Sequence, residues 1–189
     1  SVRSDSVGGV IFSRGTSGAL RMLVDSLKSL ARVPLLLSAD FETGPGMRLS
    51  DGFRIPSMMA IAATRSTDLA YRAGLAVASE ARELGIGQNY APVCDVNNNP
   101  LNPIINARSF GEDRELVAEM AEALMRGMQD GGLIATAKHF PGHGDTESDS
   151  HTALPLLRLD RARLDSVELY PFRRLIDAGV MAVMPGHLA

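Results

Sequence analysis

One cysteine, Cys94, stands in 189 residues. That excludes an internal disulfide and permits a reducing compartment. No run approaches the roughly eighteen apolar residues of a membrane-spanning helix, and residues 1–6 do not resemble a secretion signal. Neither sign of charge is in excess: 19 Lys and Arg stand against 22 Asp and Glu, for a net charge of −3. There is thus no electrostatic case for nucleic acid or an anionic membrane surface. Hairpin signals are missing, and no glycine fingerprint of the dinucleotide-binding kind opens a helix. What remains is ordinary globular composition, 45% hydrophobic and 22% charged, enough for one sizeable core.

Strand-like and helix-like segments alternate along this chain. Residues 7–12 read as a short apolar strand. Leu20, Leu23, Val24, Leu27 and Leu30 then recur at helical spacing over 18–31. A second strand over 33–39 ends on Asp40, and a Gly/Pro-rich loop covers 42–57. Ser66 caps a helix reaching Leu84, with Leu69, Ala73 and Val77 on one face. A third strand over 86–93 ends near Asp95, and a polar loop over 97–111 is too long to be a mere connection. The helix over 113–129 repeats Leu116, Met120, Leu124 and Met128 four apart, so its methionines, with Met125, are expected in the core. A fourth strand covers 133–137, a helix with a break at Pro171 covers 160–177, and a fifth strand covers 180–184.

Such alternation predicts parallel strands joined by helical crossovers, and the strands are apolar enough to be covered on both faces. An open doubly wound sheet and a (β/α)8 TIM barrel both meet these terms. Polar groups follow several different strands: Asp40, Asp95, Lys138-His139 and His187. That spread suits a barrel mouth, where every strand end faces one site. Because a barrel takes about 250 residues, the expectation is an α/β incomplete barrel of about five βα units, lacking material at both ends.

Lys138-His139-Phe140-Pro141-Gly142-His143-Gly144-Asp145-Thr146, closed by Asp149-Ser150-His151, concentrates the chemistry. Pro141, Gly142 and Gly144 bar a regular helix, so the segment reads as a loop beyond the fourth strand. In Asp149-Ser150-His151, a carboxylate could fix the tautomer of an imidazole that both gives and takes a proton. The same residues could make local Asx and Ser turns. Lys138 and His139 could hold hydroxyl or carboxylate oxygens, or be a salt bridge and a core histidine. His139, His143, Asp145 and His151 match no common zinc spacing, so no metal is expected. Arg108 offers a planar fork for a ligand or for a loop-anchoring ion pair. Asp40 is poorly explained as a surface residue, whereas Asp95 reads as a structural hydrogen-bond acceptor.

This motif resembles the signature of glycoside hydrolase family 3, in its β-N-acetylglucosaminidase branch. Gly8-Gly9-Val10-Ile11-Phe12 resembles the family's second barrel strand, and Ala91-Pro92-Val93-Cys94-Asp95-Val96 the fourth. Residues 104–111 resemble its arginine loop and Tyr170-Pro171-Phe172 its late helix. The resemblance implies that residues 1–189 are a partial N-terminal TIM-barrel domain of that family. It implies a retaining exo-β-N-acetylglucosaminidase acting on peptidoglycan- or chitin-derived sugars, with a carbohydrate substrate and no cofactor. Asp149 and His151 correspond to the branch's acid/base pair. Lys138, His139, Arg108 and Asp40 correspond to residues holding sugar hydroxyls, and Arg48 to a further sugar-contacting arginine. Phe41-Glu42-Thr43-Gly44-Pro45-Gly46 departs from the Gln-Glu-Gly-Gly that many members carry after the aspartate. The family's nucleophile is an aspartate on a later strand, so this segment alone is expected to be inactive. A sugar-binding barrel without catalysis and a metal-dependent barrel hydrolase are the alternatives, with a phosphorylase as a close variant of the first reading. The bacterial cytoplasm is favoured over the periplasm.

Overall fold

The computed structural model describes residues 7–146 and 159–188. Five strands form one sheet: β1 Gly9–Phe12, β2 Leu36–Ala39, β3 Gln88–Asn89, β4 Ile134–Phe140 and β5 Ala182–Pro185. Their spatial order is β1-β2-β3-β4-β5, and every neighbouring pair is parallel. A doubly wound sheet reverses its strand order at a switch point. Here the order never reverses, so right-handed crossovers lay successive helices on one side and the sheet curls. The fold is the TIM-barrel type, present as consecutive βα units.

The helices are α1 Ser17–Leu30, α2 Met58–Ala63, α3 Thr67–Glu83, α4 Arg114–Asp130, α5 Arg161–Arg163 and α6 Leu169–Asp177. Side-chain caps start all of them but α6. Ser66 accepts from Leu69 N, Asp113 from Leu116 N and Asp160 from Arg163 N, each satisfying an otherwise orphaned N–H. Met120, Leu124, Met125 and Met128 are all buried, as their spacing predicts. Helix α3 differs from expectation. Its Leu69 is exposed, and its core face is Ala70, Gly74, Val77, Ala78 and Ala81. Small residues are needed because α4 lies close: a Cβ on Gly74 would sit 2.3 Å from Leu124 O, and one on Gly127 would sit 2.0 Å from Tyr71 O.

Three further expectations are corrected. The third strand is not the eight-residue element expected over 86–93, since β3 pairs through only Gln88 and Asn89. Beyond it, Pro92 has no N–H to give; the chain leaves β2 after Tyr90 and stays with β4 through the Ala91 and Pro92 carbonyls, the Cys94 N–H and the isolated Val93–Lys138 bridge. The fourth strand is longer than expected, so Lys138, His139 and Phe140 belong to β4 rather than to a loop. The last helix is irregular ahead of Pro171 rather than at it. A π-turn, Leu164–Glu168, separates α5 from α6. It widens the helix where the ring of Pro171 would otherwise crowd the carbonyl of Val167. α2, between the loop read over 42–57 and the cap at Ser66, was not anticipated.

Candidate active site

The strand ends open on a cavity of about 580 Å³ whose walls include Asp40, Arg48, Tyr90, Arg108, Lys138, His139, His143, Met184 and His187. That volume suits a small polar ligand. All five residues expected to hold sugar line it. The expected pair Asp149 and His151 lies outside the described residues.

Asp40 directly follows β2. Its Oδ1 accepts from Lys138 Nζ at 2.7 Å, and its Oδ2 pairs with the Arg48 guanidinium. Arg48 Nε also donates to the Asp40 carbonyl at 3.2 Å. The loop that delivers Arg48 turns tightly: Gly46 N donates to Phe53 O at 2.8 Å, and a Cβ on Gly46 would lie 2.5 Å from Gly52 O. The departure at 41–46 therefore still brings Arg48 back onto Asp40.

Lys138 and His139 are neighbours in β4, where alternation would send them to opposite faces. The register with β5 shifts between Lys138 and Phe140. This bulge re-aims the extra residue, His139, so that both side chains reach the cavity. Lys138 is buried, and besides Asp40 it meets Glu42 Oε1 at 2.6 Å. Glu42 also takes both arms of Arg108, Nε at 3.0 Å and Nη2 at 2.7 Å. Burial pushes the Glu42 carboxyl up, but the Arg108 hydrogen bonds and the charges of Lys138 and Arg108 outweigh it and bring it to about 2. Arg108 loses ionisation preference to burial and regains more from Glu42, so its pKa stands above its ordinary value.

Asp95, with no exposed surface, anchors both histidines. One oxygen accepts His139 N at 3.2 Å and His143 N at 2.7 Å, and the other accepts His139 Nδ1 at 2.7 Å. Burial raises the Asp95 carboxyl, while the His139 charge and these donors more than offset that and hold it below its ordinary value. A carboxylate can only accept, so Nδ1 of His139 carries the proton and Nε2 faces Arg108 Nη2 at 3.4 Å. His143 is buried, with Nδ1 2.7 Å from Thr146 Oγ1, and burial holds its pKa down. Asn102 fastens the long loop to the turn after β4 by donating to His143 O at 2.8 Å and Gly144 O at 3.1 Å. Among the described residues, no three His, Cys, Asp or Glu side chains converge as metal ligands.

Lys138 has three N–H groups, two of them spent on Asp40 and Glu42, and Asp40 retains acceptor capacity beyond its two partners. Acceptors and donors thus alternate around the cavity, as vicinal hydroxyls require, since each hydroxyl both gives and takes a hydrogen bond. Glu42 and Tyr90 were not anticipated. An acid two residues past the strand-end Asp40 was a usable signal for Glu42, but Tyr90, whose hydroxyl lies 2.8 Å from Ser38 Oγ, carried none.

The family model described as "Glycosyl hydrolase family 3 N terminal domain" matches residues 1–189. A β-hexosaminidase of Methylobacillus flagellatus is 38% identical over 99% of this chain and 56% of its own length. A β-N-acetylglucosaminidase/β-glucosidase of Cellulomonas fimi is 40% identical over 96% of this chain and 32% of its own. The structure of a glycoside hydrolase family 3 β-N-acetylglucosaminidase from Paenibacillus sp. superposes with a TM-score of 0.94 at 46% identity, covering 99% of this chain and 37% of that one. The chain therefore spans about half or less of the length of these relatives. On this match across its whole length, the chain belongs to glycosyl hydrolase family 3, in the N-terminal domain of that family.

Proposed function

We propose that the protein carrying this chain is a retaining exo-β-N-acetylglucosaminidase that releases terminal N-acetylglucosamine from peptidoglycan- or chitin-derived glycosides. One observation carries the reading: Asp40 is gripped between Lys138 and Arg48 at the rim of a cavity of about 580 Å³ that also presents Arg108 and His139. Asp40 accepts from one sugar hydroxyl while the free N–H of Lys138 donates to its neighbour. Ion pairing pre-orients both groups before the ligand arrives, so little ordering cost remains. The relatives named above, β-hexosaminidases and β-N-acetylglucosaminidases, support the N-acetylated sugar.

Retention requires one group to protonate the leaving oxygen and a second to attack the anomeric carbon. Asp149 and His151 take the first role. The aspartate orients the imidazole, which gives its proton to the leaving oxygen and later takes one from water. The second role falls to an aspartate outside residues 1–189.

The test is His151→Ala in the full-length protein, assayed on a chromogenic N-acetyl-β-glucosaminide and on chitobiose. Loss of about 10²-fold or more in kcat/KM on the disaccharide is expected, and unchanged hydrolysis would refute the role. Residues 1–189 alone are expected to give no turnover on either substrate.

A further inference from the structure

Glu168 lies outside the cavity, yet it is a charged residue only 1% exposed. It sits in the π-turn, where the extra residue of the wide turn points it at the loops above the sheet. Its Oε1 accepts from Asn98 Nδ2 at 3.2 Å and from Arg163 Nη2 at 3.2 Å. The same Arg163 nitrogen reaches Asp145 Oδ2 at 3.8 Å. Gly142 lets the turn after β4 settle on this group, because a Cβ there would lie 2.7 Å from Glu168 Cβ.

Three segments meet here. Asn98 belongs to the long loop that carries Arg108, Asp145 belongs to the turn after β4 that carries His143, and Arg163 and Glu168 belong to the helix that leads into α6. In sequence, Asp145 precedes and Arg163 follows residues 147–158, which contain Asp149 and His151. Among the described residues, Glu168 Oε2, Asn98 Oδ1 and Arg163 Nε are buried without hydrogen-bond partners. A buried charge with incomplete pairing stabilises less than an apolar contact of the same size. What such a cluster supplies instead is direction: it fixes how three chain segments stand to one another.

We infer that Glu168 is a positioning residue for proton transfer. Through Arg163 and Asp145 it sets the separation of the two points from which the stretch bearing Asp149 and His151 departs and returns, and through Asn98 it ties both to the Arg108 loop. This inference rests on the reading of Asp149 and His151 as the acid/base pair. Proton delivery to a leaving oxygen fails with displacements of about 1 Å. Loosening the tie therefore lowers acid assistance and leaves the sugar-holding groups of β2 and β4 in place.

Leaving-group dependence is the diagnostic readout. A nitrophenolate departs with little protonation, whereas a sugar alkoxide needs the proton. In the full-length protein, Glu168→Gln is expected to lower kcat/KM about 10-fold or more on chitobiose and less than about 3-fold on 4-nitrophenyl N-acetyl-β-glucosaminide. Asp145→Asn, at a half-buried position, is expected to give the same pattern more weakly and carries the test if Glu168→Gln does not fold. Arg163→Lys retains part of the disaccharide activity. Equal losses on both substrates, or none, overturn the inference. His151→Ala run in parallel separates the two ideas. If it leaves both substrates untouched, the acid/base reading falls, and this inference with it. If it abolishes disaccharide turnover while the Glu168 and Asp145 variants keep the parent's leaving-group dependence, the positioning role alone is wrong.

Discussion

Lys138 Nζ and Glu42 Oε1 meet at 2.6 Å with each side chain only 3% exposed, joining the segment after β2 to β4 across the short β3. Removing one partner of a buried pair strands the other charge. Glu42→Gln is therefore expected to cost about 3 kcal/mol at pH 7, read from denaturant midpoints of the full-length protein. The pH dependence has a definite sign. The folded carboxyl sits at about 2 against an ordinary 4.5, so its stabilisation is complete above about pH 4.5 and is lost as pH falls through about 2. The difference between parent and variant should shrink over that window. A gap that stays constant would show that Glu42 is not charged in the folded protein.

His143 is expected to remain neutral when ordinary histidines begin to protonate, because burial holds its pKa below 6.5. Thr146 Oγ1 donates to the His143 carbonyl at 3.0 Å, which leaves its oxygen to accept from Nδ1. A nitrogen-15 pH titration should show a ring protonated on Nδ1 when neutral that takes up its second proton only at a pH below the ordinary histidine range. Below pH 6.5 the unfolded chain binds the proton and the folded one resists it, so this group lowers stability as pH drops. Protonation of His143 at or above the ordinary histidine range would contradict the assignment.

Gly127→Ala and Gly18→Ala should move stability in opposite directions. At Gly127 the added methyl would meet Tyr71 O at 2.0 Å, forcing α3 and α4 apart at a cost of about 1–3 kcal/mol. At Gly18, in the first turn of α1, nothing lies within 4 Å, so alanine gains about 0.5–1 kcal/mol. Thermal unfolding of the two variants checks both signs, and an unperturbed Gly127→Ala midpoint would mean the helices do not pack this closely.

The alternation of elements was legible because the caps at Ser66, Asp113 and Asp160 and the methionine spacing of α4 are local properties of the chain. So was the structural role of Asp95, an acid placed after an apolar run with no solvent-facing neighbours. The rest depends on contacts distant in sequence. Leu69 has the right spacing for a core position, but α4 approaches the glycine side of α3 and leaves Leu69 outside. Residues 86–93 read as an eight-residue strand, yet only Gln88 and Asn89 find ladder partners on both sides. His139 shares the cavity with Lys138 because of a register shift against β5, which no property of β4 alone reveals. Glu42 is defined by Arg108 and Lys138, 66 residues away in the first case.

The brevity of β3 has a mechanical consequence. Backbone hydrogen bonds hold the third strand to β2 only as far as Tyr90 N on Ala39 O, while Ala91, Pro92 and Cys94 bond onward to β4, so near the mouth β2 is tied across by Lys138 on Asp40 and Glu42, and by Asn89 holding Phe41 N at 2.9 Å. The rim of the cavity is thus sprung by charge while its floor is laced by amides. Under acid the rim would slacken first, and the protein would lose its grip on ligand while still folded beneath it.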